Sequence, residues 1–174
     1  MSVIVLVGLA RSGKDTAADY IAKKYNYTKY TFSSVLGEMI EKQGGHATKE
    51  KMIKLGDMLR RKRGMDALAK MLEKKISQQN SILLVGPRSI EEIEYFRKKF
   101  PDLKILKITA KTEQRFKRKS ELDPKNRKEF FERDELDRER KGMQKVLDSA
   151  ETEIQNRDTK RNLYAQLDKF MKGI

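Results

Sequence analysis

The chain has 174 residues with no cysteine and a single histidine, and 40 Lys and Arg stand against 26 Asp and Glu, a formal net charge of +14. Without cysteine, a disulfide scaffold, a thiolate zinc site and a cysteine nucleophile are excluded, and the length fits one domain with a real hydrophobic core. The positive surplus points to anionic partners, among which nucleotides, nucleic acid and acidic membrane surfaces qualify, or else to a Lys-rich solvated surface.

In chain order, Val3–Val7 is an apolar run, as expected of a parallel strand buried on both faces. The loop GLARSGKDT follows from Gly8 to Thr16, and DTAADYIAKKY then has helical spacing at Ala17, Ala18, Ile21 and Ala22. Tyr27–Phe32 reads as a short strand, and Ser33 or Ser34 is placed to cap a helix carrying Val35, Met39 and Ile40. From Thr48 to about Gln78 apolar residues recur at helical intervals (Met52, Leu55, Leu59, then Leu68, Leu72, Ile76), with Gly64 dividing two helices. Ser81–Val85 is a second buried strand. Pro87 stops it, and Ser89–Glu92 opens the next helix with a capping box. Leu103–Thr109 alternates as a strand, and Thr112–Gly142 reads as helical and densely charged, with Asp123-Pro124 as an N-cap and first-turn proline. Thr152–Asn156 is a short last strand before an amphipathic helix with Leu163, Leu167, Phe170 and Met171 on one face. Strands alternating with helices imply an α/β fold with a largely parallel sheet, and the loop at Gly8 sits where such folds bind ligands.

That loop has the chemistry of a phosphate cradle. Gly8 and Gly13 let the backbone turn its N–H groups into one concavity, the helix from Lys14 adds its positive end, and Lys14 supplies an ammonium for the β- and γ-phosphates. The hydroxyl that usually follows this lysine is replaced by Asp15 and delayed to Thr16. A carboxylate also ligates Mg²⁺, so Asp15 is the candidate metal ligand, set against a helix-start role. Phosphate-binding folds of this kind often end a neighbouring strand with a magnesium-holding Asp, but here the strand end reads Val85, Gly86, Pro87, Arg88. Asp15 is the candidate to take over that duty.

Phosphoryl transfer to an anionic acceptor needs cations around both phosphates. Arg88, just past a strand end, is placed for this. Of Arg60, Arg61 and Arg63, one at most is expected to touch ligand. Residues Arg115 to Arg140 mix arginines with acids at the spacing of exposed, ion-paired helices. The functional alternative is a lid delivering Arg115, Arg118 or Arg133 to the triphosphate. His46, in the turn-like run KQGGHATKE, is expected to be a solvated loop residue. No apolar run approaches the ~18 residues that span a bilayer, and VIVLVGLA is too short and lacks the basic flank of a signal peptide. The cytoplasm is the expected location.

With these features in place, the chain resembles a small P-loop kinase of the nucleoside-monophosphate-kinase type, and more narrowly the archaeal adenylate-kinase-related family described as dephospho-CoA kinase-like. The likeness runs almost end to end, through VGLARSGKD, LRRKRGMDALAK, RSIEEIEYFR, EQRFKR, DPKNRKEFFERDE and Asn156. GLARSGKDTAADY is also similar to phage-type deoxynucleoside monophosphate kinases, in which Lys-Asp-Thr ends the loop. The resemblance implies a three-layer P-loop NTPase fold with five parallel strands and a central P-loop strand. It implies a core of 1–32, 81–111 and 150–174, acceptor-binding helices over 33–80 and a lid over 112–142. Arg88 would meet the acceptor phosphate with Arg60 and Ser33, Arg115 and Arg118 would belong to the lid, and Asn156 would lie near the donor base, beside Gly8, Arg11, Ser12, Gly13, Lys14, Asp15 and Thr16. The chain departs from the family at Val85, where an acid is usual, and at Ser34 and Gly37, where an Asp and an Arg are usual.

The expected activity is ATP- and Mg²⁺-dependent phosphoryl transfer to a nucleoside or deoxynucleoside monophosphate or a related small phosphorylated acceptor, with Lys14, Arg88 and Arg118 as the catalytic cations. A dephospho-CoA-type kinase acting on a hydroxyl and a non-catalytic nucleotide-binding protein are the alternatives. A hydroxyl acceptor calls for a nearby carboxylate, which the Ser33-Ser34 site lacks. Basic residues interleaved with acids, without Trp or an aromatic-basic motif, argue against nucleic acid as the partner; the oligomeric state is open.

Overall fold

A computed structural model describes residues 2–77, 81–119, 125–140, 142–157 and 159–174, without the side chains of 133, 137 and 140. Five parallel strands form one sheet in the order β2-β3-β1-β4-β5, comprising β1 (Ser2–Val7), β2 (Thr28–Thr31), β3 (Ser81–Val85), β4 (Lys104–Thr109) and β5 (Thr152–Gln155). β1 is central, and the loop that follows it emerges at the carboxyl edge of the sheet between the ends of β3 and β4.

Because β1 is covered on both sides, its apolar run divides by parity. Val3, Val5 and Val7 face a core built with α2 (Phe32–Lys42), α3 (Lys49–Arg63), α4 (Ala67–Glu73), α5 (Ile90–Lys99) and α8 (Met143–Asp148). Ile4 and Leu6 face a second core built with α1 (Lys14–Tyr25) and α9 (Lys160–Met171). The three layers follow from this alternation, which a strand of period two imposes once both faces are buried. Two further helices, α6 (Thr112–Lys117) and α7 (Arg127–Arg140), carry the charged segment and meet through an edge-to-face contact of Phe116 on Phe130. Among the described residues no helix is long and apolar enough to cross a membrane.

Three expectations are corrected. α2 is capped by Thr31, whose hydroxyl accepts from the Ser34 amide at 3.1 Å, and Ser33 and Ser34 lie inside the first turn. Thr31 has the extended backbone of a strand end, which lets one residue close β2 and open α2; the two serines are already helical, and Ser34 Oγ donates back to the Thr31 carbonyl. α4 ends at Glu73, short of the limit near Gln78, which lies outside the described residues. α8 is an added element: it buries Met143, Val146 and Leu147 in six residues, too few for periodicity to be read. Asp123-Pro124 lies outside the described residues.

Candidate functional site

The loop after β1 is fixed by the ends of its neighbours. A Cβ on Gly8 would stand 2.5 Å from the Ile108 carbonyl oxygen of β4 and 2.7 Å from Ser12 Oγ, so only glycine leaves room for this close approach. Arg11 (φ 63°) and Gly13 (φ 98°) curl the backbone, and Gly13 sits as the N-cap of α1. Asn156, just past β5, donates from Nδ2 to the Ser12 carbonyl at 2.8 Å, while its own amide bonds the Thr109 carbonyl at 2.7 Å. Arg115 of α6 donates to the Ala10 carbonyl at 3.1 Å and pairs with Asp134 of α7. With the Ala10 and Ser12 carbonyls engaged from behind and the Ser12 amide turned to the Leu9 carbonyl at 3.2 Å, the first amides of α1 are left for an anion.

Lys14 holds its ammonium 2.7 Å from Asp15, whose side chain is 83% exposed. That ammonium also lies over the end of β3, 3.8 Å from where a Gly86 Cβ would be. Arg118 donates through Nη2 to the Asn156 carbonyl at 3.3 Å, and its buried Nη1 has no hydrogen-bond partner among the described residues; nor has the buried Ser12 Oγ. Unpaired buried donors of this kind are costly unless a ligand meets them. Both residues line the same cavity, and a phosphate oxygen is an acceptor of the kind such donors need.

Across the cavity, Glu92 of α5 is fully buried. Its Oε1 accepts from Arg60 Nε at 3.0 Å and Nη2 at 2.8 Å, and its Oε2 from the Arg88 amide at 2.7 Å and the Ser89 amide at 3.4 Å. Burial pushes this carboxyl above the ordinary carboxylate value, against the pull of Arg60 and of the two amides. Arg60 is itself buried, and its free edge faces Asp57 with Nη1 3.9 Å from Oδ1.

A cavity of about 710 Å³ joins the two ends. Of the sequence-derived candidates, Gly8, Arg11, Ser12, Gly13, Lys14, Asp15, Thr16, Ser33, Arg60, Arg88, Arg118 and Asn156 line it. Arg115 does not: its guanidinium, 2% exposed, is turned away to Ala10 and Asp134. Arg61 and Arg63 are exposed, and the Arg133 side chain lies outside the described residues. His46 is exposed, and no cluster of three metal-ligating side chains stands among the described residues. The acids lining the cavity are Asp15 and Asp57, so a metal here would be held jointly with phosphate oxygens, as Mg²⁺ usually is. Asp57, Lys49 and Lys160 were missed from the sequence, with an apolar wall that includes Phe32, Leu36, Met52 and Ile53. For Lys49, Ile53 and Asp57 the signal was present on α3, where they share one helical face with Arg60.

A five-stranded parallel sheet in this order, with a glycine loop after its central strand, is the P-loop kinase-like fold. The family model described as AAA domain matches residues 7–130. A shikimate kinase from Bacteroides thetaiotaomicron superposes with a TM-score of 0.64 over 98% of this chain and 97% of its own, at 12% identity, a likeness of fold alone. The chain belongs to the UPF0200 family: it is 32% identical over 142 residues to UPF0200 protein MJ1399 of Methanocaldococcus jannaschii, covering 77% of this chain and 71% of that one. It is also 32% identical over 165 residues, 90% of its length, to the UPF0200/UPF0201 protein of Archaeoglobus fulgidus, and spans 50% of that longer relative.

Proposed function

We propose that the protein transfers the γ-phosphoryl group of Mg-ATP to the phosphate of a nucleoside or deoxynucleoside monophosphate, or of a related small phosphorylated acceptor. The observation that carries this reading is one cavity lined both by a phosphate-shaped loop and by two arginines beyond it in sequence, Arg60 and Arg88. The finer resemblance, to archaeal adenylate-kinase-related kinases, belongs to the same proposal.

ATP supplies the transferable group, and Mg²⁺ spreads its charge. The loop amides and the start of α1 hold the donor phosphates, and Lys14 exchanges Asp15 for them. Asp15, released, would hold the metal, and Thr16 would offer its hydroxyl to a phosphate. Arg118 Nη1 completes the donor end, and Arg88, Arg60 and Ser33 hold the acceptor. No general base is required when the nucleophile is already a phosphate oxygen, and catalysis is then positioning and charge stabilisation. In this reading the helices within 33–80 bind acceptor, and 112–142 act as a lid anchored to the loop through Arg115.

A second reading, transfer to a hydroxyl, is favoured by Asp57: its carboxylate lines the cavity and accepts no hydrogen bond within 3.5 Å among the described residues. Phosphoryl transfer from Mg-ATP to all ribo- and deoxynucleoside monophosphates and to dephospho-CoA, read by chromatography, separates the two. A Lys14→Ala control should lose on the order of 10²–10³-fold in rate, the usual effect of one lost electrostatic donor. Saturable ATP binding with no product from any acceptor would make the protein a binding module and sink both readings.

A further inference from the structure

Glu92 is more deeply placed than a helix cap requires. A capping box needs the carboxylate on the N-cap amide, yet the Ser89 amide is its longest partner at 3.4 Å and the Arg88 amide its shortest at 2.7 Å. Its other oxygen leaves α5 altogether and takes the Nε and Nη2 edge of Arg60 from α3. A fully buried carboxylate persists only where its lone pairs are met, and here all four partners belong to Arg60, Arg88 or the residue beside it. With Nε and Nη2 fixed on Glu92, Arg60 Nη1 keeps the longer 3.9 Å contact with Asp57 Oδ1. Glycine at 56 leaves that nitrogen space, since a Cβ there would come within 3.2 Å of it.

Resting on the phosphoryl-transfer reading, we propose that Glu92 is a positioning residue that sets Arg60 and the Arg88 turn as one cradle for a phosphate monoester on the acceptor. Because Glu92, and Asp57 at 3.9 Å, offset the charge of Arg60, its guanidinium presents directed N–H donors with little excess charge. A rigid guanidinium fork recognises the oxygens of a phosphate and gains little from a neutral hydroxyl. Glu92 itself does not line the cavity, so it acts through the arginines.

The test is calorimetric binding of AMP, GMP, CMP and UMP, with Mg-ATP as a separate probe, to the full chain and its variants. Glu92→Gln puts a donor where only an acceptor fits; it should weaken the best-binding monophosphate at least tenfold and leave Mg-ATP affinity within twofold. Glu92→Asp keeps the charge but shortens the reach, so a clear loss there as well separates positioning from charge and covers a Gln variant that fails to fold. Ser89→Ala removes a capping hydroxyl from the same helix end; it should lower Tm and leave monophosphate affinity unchanged. Equal loss for monophosphate and ATP, an unchanged Glu92→Asp protein, or a Ser89→Ala protein as impaired as Glu92→Gln each overturns the proposal. So does a wild type that binds none of the four. Monophosphate binding that depends on Glu92 without any transfer would keep this inference and remove the kinase reading.

Discussion

Gly13 and Asn156 should be energetically coupled, because they occupy one place. A Cβ on Gly13 would overlap Asn156 Nδ2, with Asn156 Cγ the next atom at 3.3 Å. Gly13→Ala therefore carries two costs. Its left-handed backbone (φ 98°) penalises a side chain by about 1–2 kcal/mol. Displacing Asn156 breaks the buried bond to the Ser12 carbonyl, at about 1–3 kcal/mol for a group left unsatisfied. The single variant should lose about 2–5 kcal/mol, and Asn156→Ala alone about 1–3 kcal/mol. Cutting Asn156 back to alanine removes both Nδ2 and Cγ and keeps its Cβ in ordinary contact at 3.9 Å, so Gly13→Ala should then cost mainly its backbone strain. The double variant would be less destabilised than the sum of the singles by about the hydrogen-bond contribution, 1–3 kcal/mol. Thermal unfolding of the four proteins measures this, at about 2–4 °C of Tm per kcal/mol for a chain of this size. Additive losses would refute the shared-space argument, and an unperturbed Gly13→Ala protein would refute the loop geometry.

Arg115→Met leaves the Asp134 carboxylate and the Ala10 carbonyl without their partner, so it should lose about 3–5 kcal/mol of stability, the usual effect of breaking a buried pair from one side; full stability with weakened ATP binding would show a phosphate ligand instead. Asp15→Asn, at an 83% exposed position, should change stability by less than about 0.5 kcal/mol while raising the Mg²⁺ concentration for half-maximal transfer several-fold, and an unchanged Mg²⁺ titration would remove the metal role. Asp168 is held down to about 2, from an ordinary 3.8, by hydrogen bonds from Lys24, Tyr25 and Tyr20. Its folded value lies below the unfolded one, so its contribution is whole above about pH 4 and is lost as pH falls through about 2. Asp168→Asn should flatten that limb of an acid-unfolding curve, and identical curves would count against the cluster.

The sheet was legible because both faces of β1 and β3 are covered, which leaves an unbroken apolar run bounded by glycine. The loop, Arg88 and Arg60 were legible for a related reason: a residue at a strand's carboxyl end or at a glycine-closed helix end has few places to go. Side-chain direction on a short charged helix was not. Arg115 and Arg118 lie three apart on α6 and its cap, and the resemblance puts both in the lid facing the donor. Only the docking of α6 behind the loop turns Arg115 inward to Ala10 and leaves Arg118 at the cavity. Glu92 was legible as a capping-box acid, and that is half of its geometry. The other half depends on the approach of α3 across 32 residues of chain, which no local pattern carries.

The same contrast accounts for the strand end without an acid. Val85 is 3% exposed and, although it meets the cavity, packs with the α1-side core of Ile4, Leu6, Ala17 and Ile21, so a carboxylate there would exchange apolar contacts for a charge that needs its own donors. The residue beneath the Lys14 ammonium is instead Gly86, which at φ 80° contributes backbone and no side chain. A lysine in that position still needs a counter-charge when no phosphate is bound, and Asp15 supplies one from the first turn of α1 at 2.7 Å. An acid on the exposed rim is easily exchanged for a phosphate, whereas one buried behind the strand end is not. Moving the carboxylate from strand to helix thus leaves Lys14 neutralised at rest and free to change partners. Under the proposed chemistry it also brings the metal ligand to the donor end, on the element that already holds the phosphates.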